Sequence, residues 1–271
     1  MQRDSVQNVI VVAGLVCLVC SVVVSGVAVK LRPTQEKNQR IEFQRNILAA
    51  AGLWDTKANK PTSGSGTVEE VFQAGVEKHL INLDTGEYVA DGDVDFSIDS
   101  YEPKQAAKDP ALSEVLSKSE DIASIKRREK YAFVYQVKGD DGFVSQYVFP
   151  IRGYGLWSTL RGFLSLDKDL QTVNGITYYE HAETPGLGGE VDNDLWKAKW
   201  NGKTALNAEG AVVLNVIKGS VDPTSDTAQY QVDGLSGATI TTKGVDNMIK
   251  YWLGENGFGP YIEKVKSAGG N

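Results

Sequence analysis

An uncharged apolar run near the N-terminus constrains this chain more than any other feature of its sequence. Val9 to Val29 contains no charged side chain. A helix rising about 1.5 Å per residue crosses a hydrocarbon core of about 30 Å over that length. Gly26-Val27-Ala28 also resembles a signal-peptide cleavage site, but the run exceeds the usual apolar length of about 7–15 residues, and only Arg3 is basic in front of it. The sequence therefore predicts a retained single-pass anchor, with everything after Lys30 on one side of the membrane.

The charges that flank the anchor bear on its orientation. Arg3 precedes the run, whereas five basic residues follow it: Lys30, Arg32, Lys37, Arg40 and Arg45. The positive-inside rule therefore places the large C-terminal part in the cytoplasm. Cys17 and Cys20 lie within the run on one helix face. We expect them to pack as small apolar residues, with a redox or palmitoylation role as the alternative.

Composition excludes several classes of protein. Of the 271 residues, 41% are hydrophobic and 23% are charged, which is typical of a folded chain. The formal net charge of −7 argues against a nucleic-acid-binding surface. Two cysteines exclude a disulfide scaffold, and the two histidines, His79 and His181, argue against a zinc site. We predict no bound metal and no nucleic-acid partner.

The rest of the chain reads as an α+β fold: a soluble domain with antiparallel sheet and flanking helices after the single transmembrane helix. We expect a helix over Thr34–Leu53 that ends near Gly52, and a second helix that begins at the capping box Thr67-Val-Glu-Glu70. Two further helices are expected at 111–117 and at 242–254, the latter with Thr241 or Thr242 as its N-cap. Asp84-Thr-Gly86 predicts a hairpin turn. Predicted strands are 131–137, 143–149, 162–166, 175–180, 211–217 and 230–232. The expected division is 1–8, the anchor 9–29, a membrane-proximal region 30–130, a second domain 131–265 and a tail 266–271.

Two glycine-containing segments at strand ends are candidates for a binding site. Gly153-Tyr-Gly-Leu-Trp157 allows a sharp turn, and Trp157 either stacks on a flat ligand ring or belongs to the core. In Glu180-His-Ala-Glu-Thr-Pro-Gly-Leu-Gly-Gly189, a polar loop follows a strand. His181 there is either a proton donor or a structural hydrogen-bonding residue.

A third segment, Asp233-Gly-Leu-Ser-Gly-Ala-Thr239, precedes an amphipathic helix. A loop of small residues at a helix N-terminus presents free N–H groups and the positive end of the helix dipole, which suits a phosphate. The segment is neither a P-loop nor a nucleophile elbow. A phosphate-binding turn and an ordinary capped helix start remain equally open.

The third segment resembles the flavinylation signature Asp-x-x-Ser/Thr-Gly-Ala-Thr. Together with the other two segments, the anchor and Gln44-Arg-Asn-Ile-Leu-Ala-Ala-Ala-Gly-Leu53, it resembles the C subunits of Na⁺-translocating NADH:quinone oxidoreductases, the NqrC family. The resemblance implies that residues 131–265 bind FMN and that a separate flavin transferase, using FAD and Mg²⁺, attaches FMN to Thr239 by a phosphoester. It also implies ring contacts from Trp157, Thr184 and Leu187, with weaker candidates in Glu183 and Ser236. Gly237 and Ala238 are small enough to let the transferase reach Thr239.

The same resemblance implies the function. The flavin supplies the redox chemistry, no side chain is catalytic, and the chain relays electrons between cofactors of other subunits in a complex that oxidises NADH, reduces ubiquinone and pumps Na⁺. The chain lacks a dinucleotide fingerprint, so we expect no NADH site of its own. The family places residues 1–8 in the cytoplasm of a bacterium and the flavin domain in the periplasm, anchored in inner-membrane lipid. This conflicts with the basic cluster, but long domains translocate largely regardless of charge.

Three alternatives remain. The G subunit of the related Rnf electron-transport complex shares the flavinylation signature. A membrane-tethered module that binds a phosphorylated ligand reversibly, without redox chemistry, fits the third segment as a phosphate site. A purely structural assembly protein would leave Thr239 unmodified.

Overall fold

The computed structural model describes residues 5–269. Its contacts divide the chain into two units, one ending at Phe43 and one beginning at Gln44. Helix α1 (Val6–Ala50) makes up the first unit and continues into the second. Among the described residues, α1 is the helix that is long and apolar enough, by length and composition, to cross a membrane.

The helix predicted at Thr34–Leu53 forms the C-terminal part of α1. The helix passes through Pro33 without a break and ends at Ala50. Gly52 does mark the end: its φ is +71°, its N–H donates to Ala49 O (3.0 Å), and Leu53 N–H donates to Leu48 O (2.8 Å). This is the Schellman arrangement, in which glycine tolerates the left-handed conformation.

Short elements lead from α1 to the first long strand: β1 (Trp54–Asp55), β2 (Lys60–Pro61), α2 (Val68–Gly75) and β3 (Val76–Asn82). The predicted capping box is confirmed. Glu70 N–H donates to Thr67 Oγ1 (3.3 Å), and Thr67 N–H donates to Glu70 Oε2 (2.8 Å). The predicted hairpin turn at Asp84-Thr-Gly86 is confirmed too, because Ile81 and Tyr88 form an antiparallel bridge across it.

The predicted helix at 111–117 is wrong. The chain instead forms α3 (Pro103–Ala106), β4 (Ser113–Val115) and β5 (Arg127–Glu129), and β4 pairs antiparallel with β5. Outside that register, Leu116 N–H donates to Lys126 O (3.1 Å) and Lys130 N–H donates to Leu112 O (2.8 Å). These long-range partners override the local helix propensity of the segment.

A five-stranded antiparallel sheet forms the centre of the second unit. It consists of β3 and four later strands: β6 (Tyr131–Lys138), β7 (Val144–Tyr154), β8 (Thr159–Asp167) and β9 (Val173–Glu180). Their order across the sheet is β3-β6-β7-β8-β9. Four predicted strands lie within this set almost entirely, and β7 extends through Pro150 to Tyr154. Since β3 pairs with β6, the sheet joins parts of the chain on both sides of residue 130, where the sequence suggested a boundary.

The chain after the sheet is mostly irregular until its last two helices. It contains α4 (Asp194–Lys197), β10 (Asn215–Val216), β11 (Gln231–Val232), α5 (Thr239–Leu253) and α6 (Gly259–Ser267). The strand predicted at 211–217 is reduced to β10, because its partner β11 offers only two residues for pairing.

Helix α5 begins three residues before the predicted start. Thr239 is its first residue, so Thr241 and Thr242 lie inside the first turn, buried, and neither is the N-cap. The predicted apolar face is confirmed, because its five residues are buried: Val245, Met248, Ile249, Trp252 and Leu253. The helix ends at Leu253, and Gly254 is its C-cap, as expected.

The two faces of the sheet are covered by different helices. One face packs against α5, where Trp252 Nε1 donates to Arg152 O (2.6 Å). The other face meets the C-terminal end of α1, where Thr177 Oγ1 donates to Asn46 O (2.9 Å) and Gln146 Nε2 donates to the carbonyl of Ala51, the residue after the helix (3.1 Å). The sheet is therefore buried on both sides, and its strand ends meet the first turn of α5.

Candidate functional site

The three candidate segments meet around the first turn of α5. Gly244 in α5 lies against the end of β7, where a Cβ would stand 2.3 Å from Tyr154 O. Gly237, whose φ is +73°, lies against the second segment, where a Cβ would stand 2.9 Å from Leu187 Cδ2. Gly244 needs to be glycine because the backbone of Tyr154 comes so close, and Gly237 favours glycine because its φ is positive. The structure thus joins three segments that lie far apart in sequence.

Glu183, in the second segment, connects the first segment to the first turn of α5 through its carboxylate, and the residue is only 5% exposed. Oε1 accepts hydrogen bonds from Trp157 N–H (2.9 Å), Ser158 N–H (3.0 Å) and Ser158 Oγ (3.1 Å). Oε2 accepts from Leu156 N–H (3.1 Å) and Thr241 Oγ1 (2.7 Å). Burial by itself raises the pKa of Glu183, but the hydrogen bonds from Thr241 and from the backbone N–H groups outweigh it and hold the pKa below its ordinary value.

The start of α5 leaves backbone donors available. Thr239 is exposed, and Ala238 precedes it; in the described chain no side chain caps this terminus. Thr242 N–H donates to Ala238 O (2.9 Å) as the first intrahelical bond. The earlier N–H groups therefore have no intrahelical acceptor and lie at the positive end of the helix dipole. Ser236 and Gly237 are exposed beside them.

Large apolar side chains stand exposed on the same segments. Trp157 is 66% exposed, Leu187 44% and Ile240 59%. Trp157 is therefore not a core residue, which was one of the two interpretations of its motif. Thr184 is exposed as well, and its carbonyl accepts hydrogen bonds from Leu187 N–H (3.1 Å) and Gly189 N–H (2.9 Å), which close the Pro-Gly turn. Exposed apolar groups beside free backbone donors suit a ligand with a flat ring and a phosphate.

His181 and Asp233 take structural positions near the site. His181 Nδ1 accepts from Glu183 N–H (3.2 Å), so Nε2 carries the proton that it donates to Asp192 Oδ2 (2.7 Å). Asp233 Oδ1 accepts from Val221 N–H (2.8 Å), and Oδ2 pairs with Lys199. Burial raises the pKa of Asp233, but these hydrogen bonds outweigh it and lower the pKa overall. Both side chains therefore have structural roles, because their hydrogen bonds hold the loops beside the site.

Sequence reasoning missed Ser158 and Thr241, the two hydroxyls that bind Glu183. Thr241 lies 58 residues from Glu183, and nothing local marks either residue as its partner. It also missed an open cavity of about 350 Å³ beside Asp233, lined in part by Lys199 and Lys203. Among residues 5–269, no group of three or more His, Cys, Asp or Glu side chains is arranged to hold a metal ion.

Comparison with known proteins connects this geometry to a family. Residues 155–254, which include parts of all three meeting segments, match the family model of the FMN-binding domain. The C subunit of the Na(+)-translocating NADH-quinone reductase of Pseudomonas aeruginosa is 48% identical over 264 residues, covering 97% of both chains. The corresponding C subunit of Neisseria meningitidis serogroup B is 43% identical over 267 residues, covering 98% of this chain and 97% of its own.

Solved structures agree with the sequence relatives. The crystal structure of Shewanella oneidensis NqrC superposes with a TM-score of 0.74 at 34% identity, covering 85% of this chain and 99% of that one. The C subunit from Parabacteroides distasonis superposes with a TM-score of 0.60 at 26% identity, covering 86% of this chain and 96% of its own. The α+β fold with an N-terminal helix and antiparallel sheet is confirmed. The chain belongs to the NqrC family, the C subunits of Na⁺-translocating NADH:quinone reductases, and carries that family's FMN-binding domain.

Proposed function

We propose that this chain carries FMN on Thr239 through a phosphoester and relays electrons within a Na⁺-translocating NADH:quinone reductase. The observation that carries the proposal is an exposed threonine at the uncapped start of α5, on a bend of small residues. Its hydroxyl belongs to the first residue of α5, beside free N–H groups that would hold a phosphate. The family's name and its FMN-binding domain support the same cofactor.

A covalent bond makes physical sense at this site. A phosphate at an exposed helix N-terminus gains only about 0.3–1 kcal/mol from the dipole, which does not retain a ligand in a dilute compartment. In the attachment step the Thr239 Oγ1–phosphorus bond forms and the pyrophosphate bond of FAD breaks, so AMP leaves and the hydroxyl proton passes to solvent. Ser236, Gly237 and Ala238 form the bend through which a separate flavin transferase reaches the hydroxyl.

The exposed side chains around the helix start suit the isoalloxazine ring. Trp157 and Leu187 offer apolar surface, and Thr184 offers polar atoms next to the turn that Leu187 closes. FMN, when bound, supplies the redox chemistry, and the chain's residues hold the ring, exclude water from its faces and set its surroundings. No side chain of the chain is assigned a catalytic role.

The relatives' names support membership of a multi-subunit complex, and in this proposal the chain relays electrons between cofactors of the other subunits. We further propose that α1 anchors the chain in the lipid of the inner membrane and that the flavin domain faces the periplasm. Membership in the NqrC family favours this complex over the Rnf alternative.

The attachment site is tested by expressing the full chain with its flavin transferase and measuring in-gel flavin fluorescence after denaturation. We expect covalent fluorescence in the wild type, none in Thr239→Ala, and retained fluorescence in Ser236→Ala, which removes the other hydroxyl of the bend. Fluorescence that survives in Thr239→Ala, or that is lost only in Ser236→Ala, would place the flavin elsewhere. A colourless wild type would favour a reversible ligand site or an unmodified assembly protein.

A further inference from the structure

A single carboxylate organises the walls of the proposed flavin site. The N–H groups of Leu156, Trp157 and Ser158 all donate to Glu183. Loop N–H groups that lack a strand partner need another acceptor, and here one side chain serves three of them. The same carboxylate accepts from Thr241 Oγ1 in the first turn of α5 (2.7 Å). Its own backbone continues directly into Thr184.

The charge of this carboxylate is not neutralised by a cation. In the described part of the chain, no lysine or arginine forms an ion pair with Glu183, and its five hydrogen-bond donors are all neutral. Low exposure keeps water from screening the charge fully. A net negative charge therefore stays between the turn that carries Trp157 and the helix start that carries Thr239.

We infer that Glu183 is the positioning residue of the FMN site, holding the Trp157 turn and the start of α5 in one arrangement and lowering the reduction potential of the flavin. This inference rests on the proposed attachment of FMN at Thr239. A fixed negative charge near the flavin opposes the addition of electrons, so it makes the flavin harder to reduce. Neutral donors to the carboxylate weaken that effect, because the positive hydrogen ends of these groups partly offset its negative charge.

Three substitutions separate charge from geometry. Glu183→Gln removes the charge while it keeps the size of the side chain and one carbonyl acceptor. Thr241→Val keeps the charge and removes one donor to Oε2, at nearly constant side-chain volume. Thr241→Ser keeps the hydroxyl and serves as the conservative control.

The test uses the full chain, flavinylated by co-expression with its transferase, with the amount of attached FMN read from the intact mass. The midpoint potential and the visible circular dichroism of the flavin are then measured on the flavinylated samples. We expect Glu183→Gln to shift the potential to a more positive value and to weaken the dichroism of the ring. Thr241→Val should shift the potential to a more negative value, and Thr241→Ser should match the wild type.

Opposite shifts support the proposal, since mere loosening of the fold moves both variants in the same direction. Wild-type potentials in both Glu183→Gln and Thr241→Val, or shifts of equal sign, would overturn it while leaving the attachment of FMN intact. If Glu183→Gln fails to fold or to accept FMN, the comparison of Thr241→Val with Thr241→Ser decides the question by itself, and equal potentials would overturn the proposal. Absence of FMN from the wild-type chain would overturn this inference together with the proposed function.

Discussion

Glu183 shows what a single residue contributes to this site and why its role is invisible in the sequence. The segment around it favours a polar loop at a strand end, and the loop is present. Its five donors, however, come from residues 25 to 58 positions away. Local composition therefore predicts a polar group at this position, whereas the partners of its carboxylate are known only once the fold brings these distant residues together. Trp157 illustrates the same point, because its motif fits both a core residue and an exposed ring, and only the packing decides.

The stability of the fold should depend on the ionisation of Glu183. Its folded pKa lies below the ordinary value because hydrogen bonds favour the charged form. Its contribution is therefore complete above the pKa of the unfolded chain, and it is lost as the pH falls through the lower, folded pKa. At pH 7 we expect Glu183→Gln to lower the free energy of unfolding by about 1–3 kcal/mol. Urea unfolding of both proteins from pH 7 down to about pH 3 should show this difference shrinking; a difference that stays constant would contradict the assignment.

At the scale of elements, the central strands were predictable and the boundaries of helices were less so. Strands β6 to β9 show clear apolar patterns bounded by turn residues, so their positions follow from the sequence. The segment 111–117 has helix-forming residues, yet it pairs with residues 126–130 and forms a strand. Helix α5 begins at Thr239 because the hydroxyls of Thr241 and Thr242 bond to Glu183 and to Leu235 N–H instead of capping the helix. In each case a long-range or tertiary partner decides against a local preference.

The close packing of α5 on β7 predicts a sharp effect of one methyl group. In Gly244→Ala the new Cβ would stand 2.3 Å from Tyr154 O, so the helix must move away from the strand end. We expect a loss of about 1–3 kcal/mol in the free energy of unfolding, together with reduced flavin attachment, because the helix start moves with it. Gly75→Ala is the matched control, since Gly75 is also helical and no atom stands within 4 Å of its added Cβ. Chemical denaturation and in-gel flavin fluorescence measure both effects, and equal stability of the two variants would contradict this packing.

At the scale of the whole molecule, the chain combines one long apolar helix with one compact unit that begins at Gln44. The apolar run predicted the helix, because an uncharged stretch of about 20 residues is typical of a helix that crosses a membrane. The basic residues after the run favour the cytoplasm for the domain, whereas the proposed function places it in the periplasm, so the orientation needs a direct measurement. The proposed periplasmic location also explains why the flavin is covalently attached, because a dissociated flavin would be lost by dilution in that compartment.

Orientation can be measured with a single reactive thiol. With Cys17→Ser and Cys20→Ser as background, we expect Leu195→Cys to react with a membrane-impermeant maleimide in intact spheroplasts, because Leu195 is 76% exposed. Ser5→Cys, on the other side of the apolar run, is the control and should react only after lysis. The reverse pattern would place the flavin domain in the cytoplasm, as the positive-inside rule predicts.

Peptide mapping of the native chain tests the central claim most directly. Cleavage after lysines releases a fragment from Gly219 to Lys243, which contains the bend and the start of α5. Tandem mass spectrometry of this fragment, taken from protein matured with its transferase, should show the mass of one FMN less one water, located on Thr239. An unmodified fragment from fully matured protein, or the added mass on Ser236, would contradict the account.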